Sequence, residues 1–176
     1  MPTPSPDILN KVSEAKAQYF TKLDVRWGYN NVQIKEGDEW KAAFCMNRGL
    51  FKPLVMFFGL TNSLAIFQMM MNDIFKDLIN EGVMTIYMDD ILIFSSQMKE
   101  QHHTIVVKVL DILQKHRLYL KAEKCIFEQP RVEYLGLILS EGCIEMDPVK
   151  VTGIQDWLTP QNVTEVQSFI GFVNLY

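Results

Sequence analysis

Two adjacent carboxylates, Asp89 and Asp90, stand between two short apolar segments and are the residues best suited to chemistry. Segments 83–87 and 91–94 are rich in β-branched and aromatic residues, which is typical of strands. Because neighbouring strand residues point to opposite faces, two carboxylates that act together are expected on a hairpin turn. Their mutual repulsion is best relieved by a divalent cation. Taken alone, the dipeptide is more typical of a solvated turn than of a metal site.

A third carboxylate, Asp24, lies near the end of the alternating apolar segment 20–25. If the strand over that segment neighbours the hairpin in a sheet, Asp24 lies beside Asp89 and Asp90. Three carboxylates around one point are stable only with metal, and Mg²⁺ suits oxygen ligands while accepting further oxygens from phosphates. Two such ions activate an attacking oxygen and neutralise the leaving one in phosphoryl transfer. The spacing therefore indicates a magnesium-dependent phosphoryl-transfer site.

The elements that must position these carboxylates follow from the periodicity of apolar residues. Helices are predicted over 7–19 with Asp7 as N-cap, from about Phe67 to a stop before Gly82, over 98–116, after Asp147-Pro148, and after a capping box of Asn162 and Glu165. Strands are predicted over 20–25, 32–35, 40–46, 50–56, 83–87, 91–94, 118–127 and 131–139, with a turn at Asn47-Arg48-Gly49.

This order of elements predicts an α+β fold, with an antiparallel split-βαβ sheet and helices on one face. The sequence contains no Gly-rich phosphate loop. Its 176 residues suit one domain, and a formal charge of −4 excludes a module that binds nucleic acid by net positive charge alone. His102 and His103 are adjacent, so they point about 100° apart on a helix and are expected at the surface or core edge rather than on a metal.

The cysteine content and the distribution of apolar residues indicate in which compartment the chain is expected. Three cysteines without C-x-x-C spacing favour reduced thiols inside a cell over a disulfide framework or a zinc site. No apolar run reaches membrane-spanning length, and the first residues lack the pattern of a signal peptide. The expected setting is therefore intracellular, without a membrane partner.

Further motifs accompany the carboxylates: Phe20–Asn31, Phe58–Ser63 with Phe67-Gln68, Tyr87–Phe94, Leu120–Cys125 and Glu133–Ser140. In this order they resemble the palm motifs of reverse transcriptases from gypsy-class long-terminal-repeat retrotransposons, from about residue 18 to the C-terminus. The resemblance implies a fingers–palm junction over 1–19, a polymerase palm over 20–140 and the start of the thumb over 141–176.

The resemblance also implies an activity: RNA-directed DNA polymerase, which transfers deoxynucleotides to a primer 3′-OH with two Mg²⁺ ions, or Mn²⁺ as a substitute. Asp24, Asp89 and Asp90 would then be the metal ligands, with Asp89 the more critical of the adjacent pair. Lys124 aligns with the lysine that protonates the pyrophosphate leaving group, and Lys121 remains a competitor for that role.

Other positions matched by the resemblance concern the substrates. Tyr29 would be the aromatic gate that excludes a ribose 2′-OH, and the less favoured alternative is an ordinary packed tyrosine. The nucleotide and template pocket would further include the Val25 carbonyl, Phe58, Gln68 and Met88. The primer grip would be the hairpin of Tyr134, Leu135 and Gly136. Expected partners are an RNA or DNA template with its primer, dNTPs, and remaining polyprotein domains such as RNase H and integrase. The location implied is the cytoplasm or a virus-like particle, with the nucleus as an alternative.

The sequence departs from the family pattern in the pocket loop. Phe57 and Leu64 stand where the family usually has proline, which removes two restraints on φ. Cys45 stands where a basic residue is common. Because fingers and most of the thumb are not recognised in this chain, the alternative function is a non-catalytic remnant of a retrotransposon polyprotein, favoured for the isolated chain. An unrelated RNA-binding module would require basic and aromatic runs that the sequence lacks.

Overall fold

The computed structural model describes residues 6–96 and 98–173 and confirms an α+β fold with antiparallel sheets. The helices are α1 (Pro6–Glu14), α2 (Ser63–Ile74), α3 (Lys76–Asn80), α4 (Lys99–Lys115), α5 (Pro148–Gln155) and α6 (Val163–Val173). The strands are β1 (Tyr19–Asp24), β2 (Phe44–Met46), β3 (Gly49–Phe51), β4 (Met84–Tyr87), β5 (Asp90–Ser95), β6 (Ile126–Gln129), β7 (Arg131–Tyr134), β8 (Leu137–Ser140) and β9 (Cys143–Met146). Within the described residues, no helix is long and apolar enough to span a membrane.

The strands form three sheets. The largest has the strand order β4-β5-β1-β6, so the predicted first strand lies directly beside the second strand of the carboxylate hairpin. Strands β7, β8 and β9 form an antiparallel meander, and β2 pairs with β3 in a separate hairpin whose register sets Met46 opposite Gly49. The sheet order provides the neighbouring strands that the carboxylate prediction required.

Two compact units divide the chain. One contains the described residues within Met1–Lys22, Ile93–His103 and Ile126–Tyr176, and the other contains Leu23–Leu92 and Thr104–Cys125. Fully buried side chains of the second unit include Leu23, Val25, Phe67, Met71, Phe75, Ile91, Leu92 and Val109. Those of the first include Phe20, Ile93, Phe94, Val132, Tyr134 and Leu139. All residues of the carboxylate site described below belong to the second unit.

The helices differ from prediction mainly at their ends. α1 begins at Pro6 and ends at Glu14, so Asp7 lies in its first turn rather than at the N-cap, and Lys16 takes a φ of 46°. The long helix is broken at Phe75, whose φ of −107° and ψ of 15° separate α2 from α3. Burial of the Phe75 ring accompanies this break, a tertiary effect that periodicity does not report.

Five predicted strands differ from the structure by more than their end residues. Segments 40–46 and 50–56 form strands only over Phe44–Met46 and Gly49–Phe51, and a 3₁₀ turn spans Glu39–Ala42. Segment 32–35 contributes only an isolated bridge between Gln33 and Val55, and 118–127 contains a 3₁₀ turn over Ala122–Lys124 before β6. Predicted strand 131–139 is two strands, because Leu135 and Gly136 form a tight turn. Short apolar runs do not separate strands from irregular backbone without tertiary pairing.

The predicted N-caps of the two C-terminal helices, α5 and α6, are confirmed. The Asp147 carboxylate accepts a hydrogen bond from Val149 N at 3.0 Å, with Pro148 in the first helical position. Asn162 Oδ1 accepts from Glu165 N at 2.9 Å, and Asn162 Nδ2 donates to Glu165 Oε1 at 2.8 Å. The helix predicted after this capping box is described as far as Val173.

Candidate active site

The carboxylate hairpin turns over Met88 and Asp89, and Asp90 is the first residue of β5. The prediction that both carboxylates lie on the turn was therefore wrong for Asp90. A two-residue loop leaves only two positions outside the ladder, so the next residue pairs as strand. Met88 has a φ of 53°, a left-handed conformation that a residue with a side chain adopts only when its surroundings impose it.

Asp24 ends β1 beside this hairpin. The main chain joins the two elements, because Val25 N donates to Asp89 O at 2.8 Å. Asp24 is 8% exposed, and its Oδ1 is buried without a hydrogen bond of regular geometry among the described residues. A buried carboxylate oxygen in this state needs a cation nearby.

Two lysines supply positive charge to Asp24. Lys121 Nζ lies 2.7 Å from Asp24 Oδ1, and Lys124 Nζ lies 3.5 Å from Oδ2. The short contact with Asp24 raises the pKa of Lys121, opposed by burial and assisted by the charges of Asp24, Asp89 and Asp90. Lys121 is the more buried lysine, with 26% of its side chain exposed against 59% for Lys124. The geometry therefore favours Lys121, the competitor, as the cation closest to the predicted metal ligand.

The donor chemistry of this cluster fits a divalent cation. Asp24, Asp89 and Asp90 offer hard oxygen ligands, and the buried Asp24 Oδ1 already attracts a cation, the Lys121 ammonium at 2.7 Å. Within the described ranges, however, no three His, Cys, Asp or Glu side chains are grouped closely enough to hold a metal ion. The Lys121 ammonium occupies the position against Asp24 in this arrangement. A metal bound at Asp24 would therefore have to replace the Lys121 contact.

Tyr29 lies beside the hairpin tip in a short turn over Gly28–Asn31. Gly28 allows this turn to lie against α2, because a Cβ there would come within 2.7 Å of the Phe67 ring. The Tyr29 ring is buried, packs edge-on against Phe58 at 5.1 Å, and its hydroxyl donates to Met88 Sδ at 3.5 Å. Burial raises the pKa of Tyr29, with further contributions from the charges of Asp89 and Tyr87, so the hydroxyl stays protonated at neutral pH.

Phe58 and Gln68, the other predicted pocket residues, differ in exposure. The Phe58 side chain is 83% exposed and so presents an aromatic face to solvent beside Tyr29. Gln68 is half-buried on α2 and uses its amide within the protein: Oε1 accepts from Met88 N at 2.7 Å, and Nε2 donates to Ile86 O at 3.1 Å. The structure brings Asp24, Val25, Tyr29, Phe58, Gln68, Met88, Asp89 and Lys124 into one unit.

The predicted primer grip belongs to the other unit. Tyr134 and Leu137 pair across a two-residue loop, and both loop residues have positive φ, 52° for Leu135 and 79° for Gly136. That combination is typical of a type I′ turn, which matches the twist of its strands. Tyr134 is buried, so the turn is anchored by a core residue. The primer-contacting role of these residues stays a prediction.

The structure adds one buried polar residue that the sequence placed wrongly. His102 is fully buried, with Nε2 2.9 Å from Thr21 Oγ1 and Nδ1 2.9 Å from Ser95 Oγ. Burial lowers its pKa, so the imidazole is neutral. A helical projection of α4 would have predicted this burial. It places His102 one turn before Val106, on the face of the helix that points inward.

Comparison with known proteins agrees with this geometry. Residues 2–139 match the family described as reverse transcriptase (RNA-dependent DNA polymerase). The match covers most of the chain, and the chain belongs to the reverse transcriptase family.

Curated relatives place the chain among retrotransposon sequences. It is 37% identical over 174 residues to the "Retrovirus-related Pol polyprotein from transposon opus" of Drosophila melanogaster, covering 98% of this chain and 17% of that protein. It is 35% identical over 176 residues to the polyprotein from transposon gypsy of the same species, covering 99% and 17%. The chain thus spans about one sixth of the length of these relatives.

Solved structures share the fold. A foamy viral protease-reverse transcriptase in complex with double-stranded DNA superposes with a TM-score of 0.81 at 25% identity, over 90% of this chain and 27% of that one. Another, in complex with an RNA/DNA hybrid, gives 0.78 at 23% identity, over 93% and 22%. The retrotransposon reverse transcriptase and palm-fold predictions are therefore confirmed.

Proposed function

We propose that this chain is the palm of an RNA-directed DNA polymerase that extends a primer 3′-OH with deoxynucleotides. The observation that carries the proposal is the main-chain bond from Val25 to Asp89, which brings Asp24 beside the hairpin of a reverse transcriptase palm. Template, primer and dNTPs are accordingly the proposed substrates. The nucleic acids in the related foamy viral structures support the nucleic-acid part of this assignment.

Asp24, Asp89 and Asp90 would hold two Mg²⁺ ions, with Mn²⁺ as a substitute. When bound, such ions lower the pKa of the attacking hydroxyl and neutralise the leaving oxygen. Lys124, or its competitor Lys121, would stabilise or protonate the pyrophosphate. Their ammonium groups lie 3.5 Å and 2.7 Å from Asp24, and Lys124 is the more exposed of the two.

Tyr29 would select the sugar of the incoming nucleotide. Its buried ring packs against Phe67 at 5.4 Å and contacts the exposed Phe58 at 5.1 Å, so it would form a wall beside the hairpin tip. A rigid ring rejects a 2′-OH by overlap, whereas a mobile one would move aside. Phe58, exposed at the same place, would contact the nucleotide or template.

Primer extension on a poly(rA) template with an oligo(dT) primer tests this function. We expect incorporation that requires Mg²⁺ or Mn²⁺ and is abolished in Asp24→Asn and Asp89→Asn. Asp111→Asn, at an exposed position of α4, is the matched control and should retain wild-type incorporation. Incorporation that survives Asp89→Asn would refute the assignment.

The alternative function is a non-catalytic remnant of a polyprotein. It is favoured by the Lys121 contact at Asp24 and by the loss of two loop prolines at Phe57 and Leu64. Metal-independent folding with no incorporation under any divalent cation would support it. We also propose that the chain associates with RNase H or integrase domains of the polyprotein. Its proposed location is the cytoplasm or a virus-like particle, with the nucleus as the alternative.

A further inference from the structure

A side-chain amide outside the hairpin is hydrogen-bonded to the hairpin tip. Gln68 of α2 bonds to both residues that flank Tyr87: its Oε1 accepts from Met88 N at 2.7 Å, and its Nε2 donates to Ile86 O at 3.1 Å. A backbone N–H only donates and a carbonyl only accepts, so this pairing fixes which end of the amide faces which residue. The Gln68 amide is therefore bonded directly to the residue in the left-handed conformation that precedes Asp89.

Asn72 completes this arrangement. It lies one helical turn after Gln68, and its Oδ1 accepts the second Nε2 proton of Gln68 at 2.8 Å. With Ile86 O and Asn72 Oδ1 as acceptors, both Nε2 protons are bonded, and Oε1 is directed at Met88 N. Asn72 itself is exposed and contacts neither the turn nor the carboxylates through any described hydrogen bond.

We propose that Asn72 is a positioning residue that acts through Gln68 to fix the metal-binding hairpin tip. The inference deepens the proposed function, since the tip carries Asp89 and leads into Asp90. The Gln68 amide, with all its groups bonded inside the protein, is then a support for the metal ligands as well as a pocket residue. Without the Asn72 acceptor, one Nε2 proton loses its bond and the amide is held only by its bonds to Ile86 O and Met88 N, so we expect the Met88 N–H to lose its partner for a larger part of the time.

Amide hydrogen exchange at Met88 tests the inference without any need for polymerase activity. Gln68→Met, of similar length but without an amide, should accelerate exchange at Met88 about tenfold, the effect of losing one hydrogen bond. Asn72→Leu should accelerate it about threefold, a fraction of that loss. Asn72→Asp keeps the acceptor oxygen and should exchange at the wild-type rate. The buried strand amide of Ile91 serves as the internal reference.

Stability separates positioning from a general structural role. Leucine has a higher helix propensity than asparagine, so Asn72→Leu should unfold at the same or a higher denaturant concentration while Met88 exchange becomes faster. Mn²⁺ affinity, measured by the free Mn²⁺ signal in electron paramagnetic resonance, should weaken about threefold in Asn72→Leu and be retained in Asn72→Asp, in proportion to the exchange effect.

Unchanged Met88 exchange in Asn72→Leu would overturn the role of Asn72, and unchanged exchange in Gln68→Met would overturn the Gln68 support as well. Faster exchange in both, with wild-type rates in Asn72→Asp, supports the inference. A chain that shows this pattern and yet fails to extend a primer refutes the polymerase proposal alone, so the two failures are distinguishable.

Discussion

Replacing Lys121 by methionine removes the cation 2.7 Å from Asp24 Oδ1 while keeping most of the apolar stem. The side chains are 26% and 12% exposed, which places this pair between a surface ion pair and a fully buried one. Surface pairs contribute up to about 1 kcal/mol and loss of one partner of a buried pair costs about 3–5, so we expect the free energy of unfolding to fall by about 2 kcal/mol. That corresponds to a Tm lowered by about 6 °C in EDTA.

Divalent metal should reverse the loss in this variant. Without the Lys121 ammonium, Asp24 Oδ1 can accept another cation, and Lys124, 3.5 Å from Oδ2, is the competitor that remains. Mn²⁺ should therefore bind Lys121→Met at least about tenfold more tightly than wild type, a modest fraction of the Coulomb energy of such neighbours. Mn²⁺ at about 100 times its Kd adds about 2.7 kcal/mol, enough to offset the predicted destabilisation.

Thermal unfolding followed by circular dichroism, in EDTA and in a Mn²⁺ series, measures both effects. Lys124→Met is the matched control: its ammonium is 3.5 Å from Asp24 and largely exposed, so its effect should stay within about 0.5 kcal/mol. A Lys121→Met chain as stable as wild type in EDTA, or stabilised by Mn²⁺ no more than wild type, would refute the view that Lys121 substitutes for a metal ion at Asp24.

Three further outcomes follow from the described contacts. Because burial lowers the pKa of His102, the unfolded state binds a proton on this imidazole first as the pH falls through about 6.5. The free energy of unfolding should therefore be unaffected above that pH and fall below it by up to about 1.4 kcal/mol per pH unit. Urea unfolding at pH 7.5 and 5.5 should show this decrease in the wild-type protein and not in His102→Gln. Gly28→Ala, whose new Cβ meets the Phe67 ring at 2.7 Å, should destabilise by about 1–3 kcal/mol in urea unfolding, and an unchanged midpoint would contradict the close approach. Tyr29→Val should raise the incorporation of ribonucleotides relative to deoxynucleotides in primer extension, whereas equal discrimination in both proteins would exclude Tyr29 as the gate.

The carboxylate hairpin could be predicted because its information is local. β-Branched and aromatic runs on both sides of Met88-Asp89 specify two strands and a tight turn without reference to the rest of the chain. The caps at Asp147 and Asn162 are local for the same reason: each side chain bonds to a backbone N–H within three residues. The family resemblance rests on such segments, and for that reason it identified the fold.

Features that depend on distant contacts could not be predicted. The choice between Lys121 and Lys124 depends on how the 3₁₀ turn over Ala122–Lys124 presents each ammonium to Asp24, and a propensity argument assigned that segment to a strand. The buried position of His102 on α4 depends on two hydroxyl partners on other elements, Thr21 of β1 and Ser95 of β5. In each case the missing information was the identity of a partner elsewhere in the chain.

The bond from Val25 N to Asp89 O has a consequence for how this site tolerates sequence change. A main-chain hydrogen bond sets the relative position of the two elements that carry Asp24 and Asp89. Substitutions of Val25 therefore leave this bond intact if the new side chain fits the buried volume. Proline is the exception, because it has no N–H to donate. Random mutagenesis should therefore yield functional variants with other apolar residues at position 25 but none with proline. Side chains around the site can then change while the main-chain hydrogen bond keeps the distance between its carboxylates constant.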